Sequence, residues 1–91
     1  MGYEYKITVR LSPDVSDKIL QTAGRNLASP VDGGYEYRAA GSAGLPSAFA
    51  KAEADGFYFC TYGRHGLGAE VLGYIVTAAA EFGTVAFEVL E

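Results

Sequence analysis

From Tyr3 to Leu11 the chain alternates without a slip: Tyr3, Tyr5, Ile7, Val9 and Leu11 are apolar, and Glu4, Lys6, Thr8 and Arg10 between them are polar. Successive side chains of a strand point to opposite faces, so this segment reads as a strand with one face against a core and the other in water. The same pattern returns at Tyr35 to Ala39, where Tyr35, Tyr37 and Ala39 oppose Glu36 and Arg38, and at Thr84 to Leu90, where Val85, Phe87 and Val89 oppose Ala86 and Glu88. A parallel sheet buried between two helical layers would need strands that are apolar throughout. Half of this sheet is therefore expected to be free of helices.

Two helices suit the other half. Ser12 supplies an N-cap oxygen, Pro13 fits the first helical position, and Asp14 and Asp17 put negative charge at the positive end of the dipole. Val15, Ile19, Leu20, Ala23 and Leu27 then recur at helical spacing, and Gly24 is a candidate C-terminal cap. A second helix follows from Leu67, Val71, Leu72, Ile75, Ala78, Ala79 and Phe82, closed by Gly83. The segment Ala28 to Gly34 reads as a break, Pro46 to Ala54 as a short Ala-rich helix, and the aromatic run Phe57 to Tyr62 as a strand.

The expected fold is an α+β, ferredoxin-like βαββαβ sandwich. It has a four-stranded antiparallel sheet, two long helices on one face and a short inserted helix between strands two and three. A fully alternating arrangement is the rival, but residues 46–54 are short for a crossover, which takes about a dozen residues. At 91 residues, with 49% hydrophobic and 20% charged, the chain is expected to form one domain over residues 1–91 with one core. A lone cysteine, Cys60, makes no internal disulfide. The N-terminal alternation resembles neither a signal peptide nor a membrane anchor, so a cytoplasmic location and no membrane partner are expected.

The string Asp55-Gly56-Phe57-Tyr58-Phe59-Cys60-Thr61-Tyr62 resembles the RNP1 segment of RNA-recognition domains at Gly56, Phe57, Phe59 and Tyr62. Asp55 stands where that segment has a base, Tyr58 where it has a small residue, and Thr8 on the first strand where a second stacking aromatic is expected. With a net charge of −4 and no basic stripe, nucleic acid is disfavoured as a partner. Whichever side of this strand faces outward, aromatics join charges on the open face. Phe57, Tyr58, Phe59, Tyr62, Lys6, Arg10 and Arg38 are therefore the candidate interaction surface, since exposed Tyr, Phe and Arg are typical of protein interfaces.

Gly63, Arg64, His65, Gly66 and Gly68 leave that strand and open the second helix. Backbone amides and Arg64 make this loop a candidate anion-binding site, while the spacing matches neither phosphate-loop fingerprint and a plain glycine turn explains it with less. Cys60 and His65 form no nucleophile pair, because a cysteine in an aromatic strand is ordinarily a small buried hydrophobe. One Cys and one His supply no structural metal site, and no cofactor is implied. The expected function is a non-catalytic protein-interaction module: a homodimer, a regulatory subunit or an inhibitor of a more basic partner protein. The alternatives are single-stranded RNA binding through the aromatic strand and anion binding at the loop.

Overall fold

The computed structural model describes residues 3–24, 27–39, 46–62 and 66–90. Along the chain run β1 (Tyr3–Thr8), α1 (Pro13–Thr22), β2 (Ala28–Val31), β3 (Gly34–Tyr37), β4 (Ala48–Glu53), β5 (Gly56–Thr61), α2 (Leu67–Ala80) and β6 (Ala86–Val89). They build one six-stranded sheet in the order β2-β3-β4-β5-β1-β6. Every neighbouring pair is antiparallel. The chain is thus α+β, but it is not the four-stranded ferredoxin-like sandwich expected from the sequence.

Two strands account for the correction. The expected break at Ala28 to Gly34 is a hairpin: Val31 pairs with Gly34 across a tight turn at Asp32-Gly33, with Gly33 at φ +85°. Asp-Gly is the dipeptide that such hairpin turns favour, because the turn needs positive φ. The expected short helix at Pro46 to Ala54 is β4. Alanine propensity suggests a helix, but tertiary context overrides it: Ala48 and Ala50 are fully buried and alternate with the half-buried Phe49 and Lys51. The turn at Ala54-Asp55 sends the chain straight back into β5, so β2 to β5 form a four-strand meander where an inserted helix was expected.

Both helices start where the sequence puts them, but α1 ends at Thr22, short of Leu27, and α2 at Ala80, short of Phe82. The Ser12 hydroxyl accepts a hydrogen bond from the Val15 amide at 3.4 Å, and Pro13 opens α1. Both helices lie against β4, and they touch each other. The small inward side chains of β4 let two helices come down on one strand. Ile19, Leu20 and Ala23, with Val71, Ile75 and Ala79 of α2, pack on Ile7, Tyr37, Ala48, Ala50, Phe57 and Phe59 from the sheet. The buried Tyr37 hydroxyl donates to the Leu20 carbonyl at 2.7 Å, which satisfies the one polar atom of that ring inside the core.

β5 runs through the middle of the sheet, between β4 and β1. Its first residue, Gly56, sits at φ +147°, and a Cβ there would overlap the Ile7 carbonyl. Among the described residues, no helix is long and apolar enough to cross a membrane.

Candidate interaction surface

The helices cover one face of the sheet, so the alternate side chains form an open face. Strand register sorts it into transverse rows. Glu88, Lys6, Tyr58 and Lys51 face one another across β6, β1, β5 and β4. Glu4, Cys60, Phe49 and Glu36 form the next row across β1, β5, β4 and β3. Tyr62, just past β5, continues this side and is 48% exposed.

Tyr58 is the hub. Its hydroxyl donates to Glu4 Oε1 at 2.8 Å, its ring lies 6.4 Å from that of Phe49, and Lys51 Nζ stands 5.5 Å from its centroid. Burial and the bond to Glu4 push the phenol well above its ordinary range, so it stays protonated and keeps donating. Tyr62 is shifted the same way, first by partial burial and then by Cys60, Glu36 and Glu4 nearby.

The cations of this face are already engaged. Lys6 Nζ donates to Glu53 Oε1 and to Asp55 Oδ1. Partial burial pulls the ammonium down, yet the hydrogen bonds and charges of the two carboxylates outweigh it and hold the group above its usual value. The Asp55 carboxyl is lowered in turn, chiefly by the hydrogen bond from Lys6. Arg38, just beyond β3, contacts Glu36 at 3.1 Å. Such pairing leaves little uncompensated positive charge to hold phosphates.

Of the candidate surface residues, Tyr58, Tyr62, Lys6 and Arg38 meet on this face, and Arg10 lies two residues past β1 and is exposed. Phe57 and Phe59 do not belong to it. Both are fully buried against the helices, because their positions on β5 share the side of Ile7 and Tyr5. The RNP1 likeness loses two of its rings in the same way. Phe49, which the sequence assigned to a helix, takes a place on the open face instead.

In the candidate anion loop, Gly63, Arg64 and His65 lie outside the described residues. Gly66 caps α2 at φ +76° without a side-chain cap. Gly68 is buried in the first turn, where a Cβ would overlap the Thr61 hydroxyl, so close packing of α2 on β5 explains that glycine. Among the described residues, no three His, Cys, Asp or Glu side chains are grouped to hold a metal ion.

Two surfaces escaped the sequence reading. One is a groove of about 400 Å³ between α1 and α2, lined in part by Val15, Ile19, Tyr74, Thr77, Ala78 and Phe82. The other is the β6 edge, where Phe87 and Val89 are 48% and 59% exposed. The period of two puts these side chains on the core side of their strand, as the sequence expected, but β6 is the outermost strand and the helices lie over β2, β4 and β5. The Phe87 ring stacks on Tyr5 at 5.2 Å and is otherwise on the rim of the core. Compared with known proteins, the chain matches no family, no curated protein and no solved structure.

Proposed function

We propose that this chain is a protein-interaction module whose contact surface is the helix-free face of the sheet. The observation that carries this reading is the cluster Phe49, Tyr58 and Tyr62, set among Glu4, Lys6, Glu36 and Lys51 on a face that, among the described residues, no helix covers. Rigid aromatics with polar tips, held in place by a sheet, lose little side-chain freedom when a partner covers them. The net charge of −4 favours approach to a more basic protein surface. RNA binding is the weaker reading, because Phe57 and Phe59 lie in the core and Lys6 is committed to two carboxylates.

The test is a photo-crosslinking amino acid placed at position 49, 62 or 69 in cells that make the protein. Ala69 on α2 is exposed, lies outside the groove between the helices and serves as the control. Positions 49 and 62 are expected to give discrete, protease-sensitive adducts that position 69 does not. Adducts destroyed by ribonuclease would transfer the reading to RNA, and equal yields from all three positions would end it.

A further inference from the structure

The two edges of the sheet are built differently. At one, β2 is a four-residue strand that carries Pro30, which has no N–H to offer a further strand. At the other, β6 has no proline, glycine or lysine, and its register with β1 runs unbroken from Ala86 to Val89. Edges of that kind are ordinarily blunted, because their free N–H and C=O groups template another strand.

The direction of those groups follows from one bond. The Leu90 amide donates to the Glu4 carbonyl at 2.8 Å, so Leu90, Glu88 and Ala86 turn their backbone groups toward β1. Phe87 and Val89 must then turn theirs off the edge of the sheet. These are also the residues whose side chains are large, apolar and about half exposed. Backbone and side chains together therefore present one continuous site for an added strand.

We propose that the occupant is the β6 of a second copy, paired antiparallel about a two-fold axis at Phe87. Charge and shape select this register. With Phe87 opposite its own copy, Val85 meets the partner's Val89, and Glu88 meets the partner's Ala86. All the apolar side chains then share the helix side of the joined sheets, and about six backbone hydrogen bonds form. Centring the axis on Glu88 would instead set two carboxylates directly opposite each other, which destabilises a cross-strand pair. A two-fold axis also closes the assembly, whereas pairing β6 with the proline-bearing β2 edge would leave free ends and run on into fibres. The inference concerns a different surface from the helix-free face and does not rest on it.

Sedimentation of the full chain over a concentration series, with the variants Phe87→Glu, Phe87→Lys and Val89→Lys, tests the pairing. The unaltered chain is expected to dimerise, and each Phe87 variant alone to need at least about tenfold more protein to do so, a loss of about 1.4 kcal/mol. Mixing Phe87→Glu with Phe87→Lys restores the dimer as a heterodimer, because only opposite charges then meet on the axis. A merely unfolded variant would not be rescued. Should both Phe87 variants fail to fold, Val89→Lys decides, since Val89 is 59% exposed and its substitution leaves the core untouched. A monomer at every concentration would overturn the proposal, as would a dimer indifferent to Val89→Lys or unrescued by the charge pair.

Discussion

Which side of β5 belongs to the core can be read from a pair of truncations. Phe59→Ala removes a ring that is fully buried and packs 6.3 Å from Tyr5. Deleting such a ring forfeits its transfer free energy and leaves a cavity, together about 3–5 kcal/mol. A 91-residue domain holds roughly 5–14 kcal/mol of stability in all, so this one change removes from about a fifth to the whole of it. With a urea slope of about 1.5 kcal/mol per molar, the unfolding midpoint should fall by roughly 2–3 M, or the variant should not fold. Tyr58→Ala on the neighbouring position removes a half-buried ring, one hydrogen bond to Glu4 and an edge of contact with Phe49. Its cost should stay near 1–2 kcal/mol, because much of the ring is already in contact with water. Urea denaturation followed by circular dichroism measures both. Equal costs, or a larger cost for Tyr58→Ala, would mean that the face taken as open is covered, and the reasoning about the surface would fail with it.

Other perturbations follow from the same geometry. Gly56→Ala should cost about 3 kcal/mol or more, from backbone strain at φ +147° and from displacement of β1 at Ile7; Gly73→Ala in the exposed middle of α2, with open space at its Cβ, should instead stabilise by about 0.5–1 kcal/mol in the same assay. Tyr58→Phe should cost about 1 kcal/mol in the native background and nearly nothing once Glu4 is alanine, and equal losses in the two backgrounds would refute the hydrogen bond. The Lys6 pair gives a pH signature. The folded-state value of Asp55 is lowered, so its contribution is fully present above the unfolded carboxylate range and is lost as pH falls through the folded value. The value of Lys6 is raised, so its contribution is present below the unfolded lysine value and is lost as pH rises through the folded one. The stability gap between the native chain and Lys6→Met should therefore hold level through neutral pH and close at both extremes; a gap unchanged in strong acid would refute the pairing.

Much of the sheet was legible because alternation is a strong signal when the two faces meet different solvents. The segment Tyr3 to Leu11 showed it in full, and β1 occupies most of that stretch with Ile7 buried and Lys6 paired on the open side. The segment Ala48 to Glu53 carried the same period, but its inward residues are alanines. Their small side chains are demanded by two helices resting on one strand, a tertiary requirement, and taken locally they resemble a helix. β2 was hidden for another reason: four residues with a proline make a poor strand by propensity, and only the Asp32-Gly33 turn betrayed its pairing with β3. For the site, alternation stated that either Phe57 and Phe59 or Tyr58 and Tyr62 face outward, and left the choice open. Nothing local decides it, because both sets are aromatic; the choice is made by Ile7 and Tyr5, whose registered partners Phe57 and Phe59 follow them under the helices.

The position of β6 was the least legible feature, and it bears on both surfaces at once. Phe87 and Val89 read as core residues because their period is that of a buried face, yet burial requires a helix overhead as well as the right parity. Here α1 and α2 lie over the part of the sheet that holds β2, β4 and β5, and the outermost strand is left beyond them. A strand in that position has three outcomes open to it: a charged or prolyl substitution that blunts it, aggregation, or a partner strand. The chain blunts its other edge with Pro30; on this one the outward-turned backbone belongs to the apolar Phe87 and Val89, and the charge of Glu88 sits on the opposite side of the sheet, which fits the third outcome. Pairing through β6 joins the sheets edge to edge, so it adds no cover to the face that carries Phe49, Tyr58 and Tyr62. Two copies of that face would then lie side by side about the two-fold axis. A partner that binds there should consequently show a twofold stoichiometry per dimer, and it should bind the dimer more tightly than a Val89→Lys monomer only if it spans both copies.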